Sequence, residues 1–264
     1  MKPIRALRLV LLLGACSSTS VGNPPRSSVE IQLTAFDSQP AAKPARQAAG
    51  VVVSRALMVV ERVRLRTCDA MELEARGPYV ADLLGTGIVG VAPKLQTSER
   101  CFSGVRLKFA KLEHDRIPAG APADVVGRSI VIEGKSAGGR RFRIDADFDD
   151  EFDLNAGNAG LMLSTSGDAR VFVAFASDRW LDAAALDGVP GGGDILIDRD
   201  HNQAAYEAFR NAVKGSGHLF DDENHDGHLD DSEEHEGGEH GGDRGEAGSR
   251  GEGGGGGGVS AERH

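Results

Sequence analysis

Residues 142–148 read Phe-Arg-Ile-Asp-Ala-Asp-Phe, so apolar and charged side chains alternate at every position. Successive side chains of a β-strand point to opposite faces of a sheet, and a period of two therefore predicts a strand. One face would carry the two phenylalanines with Ile144 and Ala146, and the other would carry charge. The segment predicts a sheet with one apolar face and one solvated face.

Similar short segments recur along the chain, and Gly, Pro, Asn or Asp separates most of them. The predicted strands are 29–36, 51–66, 79–84, 105–109, 129–133, 141–152, 161–164 and 170–175. Short strands without long helical patterns between them favour an antiparallel sandwich or barrel over a parallel α/β sheet. We predict a mainly β fold, an antiparallel β-sandwich with a short C-terminal helix.

Helix is predicted in two places. The first is short, at 178–186, and Ser177 could cap it. The second runs to Lys214, ends before Gly-Ser-Gly, and could be capped by Asp200 or Asn202. Its apolar residues recur at helical spacing: Tyr206, Phe209 and Val213.

Residues 222–233 read D-E-N-H-D-G-H-L-D-D-S-E and match an EF-hand loop at each position that needs an oxygen ligand, a glycine or an apolar residue. Gly227 stands where the backbone must turn sharply. The predicted ligands are side-chain oxygens of Asp222, Asn224 and Asp226, the backbone carbonyl of His228, a direct or water-mediated contact from Asp230, and the bidentate carboxylate of Glu233. This set predicts one bound calcium ion (Ca²⁺).

The chain beyond the loop is rich in Gly, Glu and His. The exiting helix of a full EF-hand would be at most one turn long, and residues 236–264 are predicted to be a disordered tail. A different function remains open here, because imidazoles and carboxylates together can hold zinc, nickel or copper. The histidines concerned are His225, His228, His235 and His240.

Residues 198–202 read Asp-Arg-Asp-His-Asn, like the first half of another calcium loop. Gln203 stands where that loop needs glycine, and Phe209 stands where it needs its final glutamate. We interpret the segment as a helix cap, with a degenerate ion site as the alternative.

The N-terminus has basic residues, an apolar run and then Leu13-Gly14-Ala15-Cys16, which resembles a bacterial lipoprotein signal peptide with its lipobox. The resemblance implies that Cys16 is lipidated and anchors the protein in a membrane. Ser17 after the cysteine resembles the signal for export to the outer membrane, facing the periplasm or the cell surface. The alternatives are a secretory signal with a chance cysteine, or an apolar membrane anchor, for which the apolar run is too short.

If Cys16 carries lipid, Cys68 and Cys101 are the two cysteines that remain, in an oxidising compartment. We expect a disulfide between them, with two separate buried thiols as the alternative.

These assignments divide the chain into five parts. They are a signal peptide (1–15), the lipidated cysteine with a flexible tether (16–28), the β-sandwich domain (29–200), the helix with the calcium loop (201–235) and the tail (236–264). Residues 29–176 resemble uncharacterised β-rich domains of bacterial lipoproteins, through strands like 59–65 and 105–109 around Asp82-Leu83-Leu84. The Asp-x-Asn-x-Asp-Gly segment resembles single loops appended to secreted proteins, without the paired loop of a dockerin.

Charge and motifs limit the classes of function. Residues 221–240 hold ten acidic residues and no Lys or Arg, which equals the whole chain's net charge of −10. The remainder is nearly neutral, so no nucleic-acid partner is expected. The sequence lacks the common hydrolase, metalloprotease and phosphate-loop motifs, and Asp145 and Asp147 would lie on the solvated face of a strand. We expect a non-enzymatic protein with a possible cell-envelope partner, and a hydrolase with a carboxylate pocket at 145–151 as an alternative.

Overall fold

The computed structural model describes residues 27–36, 50–85, 87–157, 160–163 and 169–221. The predicted signal peptide, Cys16, the calcium loop and the tail lie outside this range. The described residues form thirteen strands in two sheets and two α-helices. The predicted mainly β, sandwich-like fold is confirmed.

The smaller sheet contains four strands in the order β13-β11-β1-β5. They are β1 (Ser27–Phe36), β5 (Lys94–Thr97), β11 (Ala169–Ala176) and β13 (Gly217–Asp221). β1 and β11 lie parallel, with Val29 opposite Ala169 and Phe36 opposite Ala176. The other two pairings are antiparallel.

The larger sheet contains nine strands, six of them in the order β10-β6-β2-β7-β8-β12. Of the other three, β3 pairs with β2 and with β4, and β9 pairs with β6. Its strands are β2 (Val52–Thr67), β3 (Glu72–Asp82), β4 (Gly87–Val89), β6 (Cys101–Phe109), β7 (Ile130–Lys135), β8 (Arg141–Ala146), β9 (Glu151–Asn155), β10 (Leu161–Met162) and β12 (Ile195–Ile197). Its pairings are antiparallel, except that β12 runs parallel to β8. The predicted single strand at 141–152 is in fact two strands joined by residues 147–150.

One hydrophobic core fills the space between the sheets. The apolar face predicted for 142–148 is buried, with Phe142 and Phe148 at 3% and 1% exposure. Phe109 of β6 and Phe175 of β11 approach with ring centroids 6.3 Å apart, which links the two sheets. Alternating burial along the strands therefore follows the alternation in the sequence.

The opposite face of β8 is less solvated than the alternation predicts. Residues 110–129 cross the outside of the larger sheet and bury a second, smaller apolar cluster. That cluster consists of Leu57, Val59, Val80, Leu112, Val125 and Val131. Asp145 lies beside this covering segment and is only 8% exposed. The expectation that Asp145 is solvated is therefore wrong, because the segment shields it.

Two helices pack at one side of the core, where the sequence predicts them. They are α1 (Ser177–Ala184) and α2 (Gln203–Lys214). Trp180 of α1 is fully buried and its ring meets Phe209 of α2 edge-on, with centroids 6.0 Å apart. The predicted side-chain caps are absent at both helices. Asn202 holds the N-cap position of α2, but its side chain donates a hydrogen bond to the carbonyl of Leu196 instead.

The predicted disulfide is present between Cys68 and Cys101, whose Cα atoms lie 5.4 Å apart. It joins the end of β2 to the start of β6, two strands that already pair through residues 60–67 and 102–109. Within the described residues, no helix is long and apolar enough to cross a membrane.

Candidate functional site

The last described residue, Asp221, immediately precedes the first predicted calcium ligand, Asp222. It ends β13, which is antiparallel to β11 with Asp221 opposite Val171 and Gly217 opposite Phe175. The six predicted ligands (Asp222, Asn224, Asp226, His228, Asp230 and Glu233) all lie beyond this strand, outside the described residues. A loop beginning at Asp222 would therefore start directly from the edge of the smaller sheet.

β13 is held in place by packing as well as by backbone hydrogen bonds. Phe220 is 2% exposed and forms a small apolar cluster with Phe172, Ala174 and Ala176. The ring of His218 lies 6.3 Å from that of Phe220. Burial lowers the pKa of His218, and the charge of Arg179 lowers it further. Both effects favour the neutral form of His218.

The element before the predicted loop is a strand and not the entering helix of an EF-hand. Helix α2 ends at Lys214, with Gly215 at its C-cap, and the chain enters β13 two residues later. Ser216 lies between α2 and β13 and contacts both helices, since its Oγ donates to the carbonyl of Val213 in α2 and accepts from Nε1 of buried Trp180 in α1. A calcium loop here would have a sheet edge as its N-terminal support.

The start of β1 and the end of β13 lie at the same end of the smaller sheet. Val29 is opposite Ala169 in β11, and Asp221 is opposite Val171 in the same strand. Strands lie about 4.8 Å apart and rise about 3.3 Å per residue, so Val29 and Asp221 are separated by roughly 12 Å. The segment leading back to Cys16 and the segment leading on to Asp222 therefore leave the domain close together.

The acidic residues of 145–151 are paired with basic side chains. Asp145 contacts Nε of Arg143 at 2.7 Å and Nε of Arg128 at 3.2 Å. Asp150 accepts hydrogen bonds at 2.8 and 2.9 Å from the Nη2 and Nε atoms of Arg210 in α2. Burial alone would raise the pKa of Asp150, but hydrogen bonding to Arg210 and the nearby charge lower it overall.

Asp147 is bound in the same way. It accepts a hydrogen bond of 2.6 Å from the phenol of Tyr206 and contacts Lys111 and Arg199 at 3.0 Å each. Burial opposes ionisation, but these donors and charges lower the pKa of Asp147 below its usual value. The carboxylates therefore tie α2 to the turn after β8. The sequence gives no local signal for this, since Tyr206 is 59 residues from Asp147.

The half-loop at 198–202 forms a hydrogen-bonded turn. Oδ1 of Asp198 accepts from the backbone N–H groups of Asp200 and His201, and it lies 2.9 Å from Nδ1 of His201. These interactions lower the pKa of Asp198 against the opposing effect of its burial. Across the part of the chain that the structure describes, no group of three or more His, Cys, Asp or Glu side chains could hold a metal ion.

An open groove of about 560 Å³ lies where β3, the link between β4 and β5, and the covering segment 110–129 meet. Its lining includes Arg76, Tyr79, Val91, Lys94 and Arg116. These residues are distant in the sequence, and no motif joins them, so the pattern of the sequence could not reveal the groove.

No protein-family model and no curated protein matches the chain. A solved structure, the NMR structure of a protein from Eubacterium rectale, is similar at 8% sequence identity over 65% of this chain and 84% of that chain, with a TM-score of 0.18. A likeness at that score carries no inference about fold or function.

Proposed function

We propose that the protein is a non-enzymatic outer-membrane lipoprotein, anchored through Cys16, whose β domain ends in a single calcium site. The observation that carries the proposal is the position of β13, which ends one residue before a complete set of calcium ligands. A loop tied at its first residue to a sheet edge loses less conformational freedom on binding than a free peptide does.

Electrostatics explains why this segment would need an ion. Residues 221–240 carry ten carboxylates and no Lys or Arg, so they repel one another. Calcium would neutralise Asp222, Asp226, Asp230 and Glu233 together, and binding would be coupled to ordering of the segment. A ligand at one hundred times its Kd stabilises the folded state by about 2.7 kcal/mol.

The same topology supports an anchored, envelope-facing role. Ser27, the first residue of β1, lies eleven positions after Cys16, with ten residues between them. Fully extended, they span at most about 40 Å. The start of β1 and the end of β13 lie at the same end of the smaller sheet. The calcium site would therefore lie on the membrane-proximal side of the domain. We propose a structural or binding role there, with a protein or cell-envelope component as partner.

Calorimetric titration of the mature chain with calcium tests the site. One site is expected in the micromolar to millimolar range, abolished by Asp226→Ala and by Glu233→Gln. Asp231→Ala is the matched control, since it removes an equal charge at a loop position that supplies no ligand. Absence of calcium binding to the wild-type chain would overturn the proposal.

Titration with zinc tests the alternative function of transition-metal handling by the histidines of the tail. Zinc binding that persists in Asp226→Ala and disappears when His225, His228, His235 and His240 are replaced would favour that function over calcium.

A further inference from the structure

The groove beside β3 has an apolar floor and a cationic rim. Val91 is 80% exposed in its wall, beside Pro78 and Pro118. Arg76 and Lys94 at the rim have side-chain exposures of 79% and 53%. We call this surface the cationic groove and define it by Arg76, Tyr79, Val91, Lys94 and Arg116.

Among the residues that the structure describes, three cations and no carboxylate line the cationic groove. The acidic partners of those cations are not among the described lining residues: Arg76 contacts Glu74, Lys94 contacts Glu30 at 2.9 Å, and Arg116 contacts Glu61 at 3.5 Å. Glu30 is shared, because Arg170 also approaches it at 3.6 Å. Arg116 further donates a hydrogen bond of 3.0 Å to the carbonyl of Gly77, which fixes its position at the rim. The described lining therefore supplies three cationic side chains, each already in contact with one carboxylate, and no carboxylate of its own.

The acidic end of the chain begins close to this groove. Lys94 is opposite Glu30, which is opposite Arg170, and Asp221 is opposite the next residue, Val171. Three strand spacings of about 4.8 Å place the Cα atoms of Lys94 and Asp221 roughly 15 Å apart. Five extended residues span that distance, so residues 222–239 can reach the groove and extend across it.

We propose that residues 222–239 dock in the cationic groove of their own chain when calcium is absent. These residues carry nine carboxylates and no Lys or Arg, and their one aliphatic side chain, Leu229, suits an apolar floor. A short connection gives the segment an effective concentration in the millimolar range, which compensates for the weakness of exposed ion pairs.

The coupling of docking to calcium rests on the proposed function, whereas docking itself does not. Asp222, Asp226, Asp230 and Glu233 would be committed to the ion in the calcium form and unavailable to the groove. Calcium and the groove would therefore compete for the same carboxylates.

Carbodiimide cross-linking of the mature chain tests the contact, because it joins a lysine to a carboxylate only where the two touch. In a tryptic digest without calcium, Lys94 is expected to be linked to peptide 215–244, which contains no internal Lys or Arg. The link between Lys94 and Glu30 serves as the internal positive control, given their 2.9 Å separation. Exposed Lys135, at the far end of β7, serves as the negative control.

Charge reversal separates a specific contact from general attraction. Arg76→Glu is expected to reduce the Lys94 link to the tail at least fivefold without reducing the link to Glu30, which competes for the same amine. Arg141→Glu makes the same charge change at an exposed residue opposite Lys135, and it should leave both links unchanged. Raising the salt concentration to 0.5 M should weaken the tail link alone.

The inference is overturned if peptide 215–244 links to Lys94 no more than to Lys135, or if the link forms only between two molecules. A link that forms without calcium and persists at saturating calcium would retain the docking but refute its coupling to the ion. That outcome is distinct from failure of the calcium titration.

Discussion

The phenol of Tyr206 donates a hydrogen bond of 2.6 Å to Oδ1 of Asp147, and this contact ties α2 to the turn between β8 and β9. The ring of Tyr206 also meets Phe148 edge-on, with centroids 5.9 Å apart. One residue thus joins the helix to the sheet through both an apolar and a polar contact.

Replacing Tyr206 by Phe should separate these two contributions. The ring and its packing remain, but Asp147 loses a donor in a partly buried site. We expect the free energy of unfolding to fall by about 1–2 kcal/mol, measured by urea denaturation. Tyr79→Phe is the control, because its phenol bonds the carbonyl of Arg76 in an exposed position, and its effect should be under about 0.5 kcal/mol. Equal losses of stability in Tyr206→Phe and Tyr79→Phe would contradict a stabilising role for the hydrogen bond between Tyr206 and Asp147.

Stability should fall in acid through Asp147 and Asp150. Both have pKa values lowered from 3.8 in the folded state. Their contribution is therefore present above the unfolded pKa and is lost as the pH falls through the lower folded pKa. We expect the free energy of unfolding to decline below about pH 4.

The variant Asp150→Asn should be less stable at pH 7 and should show a shallower decline below pH 4. Asp149→Asn is the matched control, since the side chain of Asp149 is 76% exposed. A pH profile of Asp150→Asn parallel to that of the wild type would refute the role of Asp150.

The disulfide should contribute substantially to stability. Cys68 and Cys101 are separated by 33 residues. Closing a loop of this size stabilises a fold by about 3–4 kcal/mol in the chain-entropy model. We expect that loss in the free energy of unfolding of the double variant Cys68→Ala/Cys101→Ala. Treatment of the wild type with reductant should give a similar value, and a loss below about 1 kcal/mol by both routes would contradict the expectation.

Phe220 should connect the fold to the proposed calcium site. Phe220→Ala removes a buried ring from the cluster around Phe172, and a Phe→Ala change in a core costs about 3–5 kcal/mol. Since β13 would support the loop, calcium affinity should also fall, measured by calorimetry at a temperature where the variant is folded. Leu73→Ala, at a partly buried position in the larger sheet, controls for a general loss of stability. Unchanged calcium affinity in Phe220→Ala would show that the calcium loop does not depend on β13.

The fold could be predicted wherever a local pattern determines it. The alternation at 142–148 and the spacing of Tyr206, Phe209 and Val213 each identify an element without reference to distant residues. β13 could not be predicted in this way, because Gly217–Asp221 has little strand preference of its own and is extended by pairing with β11.

The electrostatic features were also beyond local patterns. The partners of Asp147 and Asp150 in α2 lie 59 and 60 residues away, and the rim of the cationic groove comes from three separate segments. The burial of Asp145 depends on residues 110–129, whose sequence does not reveal which face they cover. The ligands of the calcium loop, in contrast, follow from their spacing alone and remain a prediction.

The parallel pairing of β1 with β11 also determines when the domain can assemble. Val29 meets a partner that follows 140 residues later in the chain, and β11 is also the strand on which β13 pairs. Contacts between residues so distant in sequence form late in folding, because the chain must first lose the conformational entropy of a long loop. During synthesis, β1 therefore cannot complete the smaller sheet until residues 169–176 have been made.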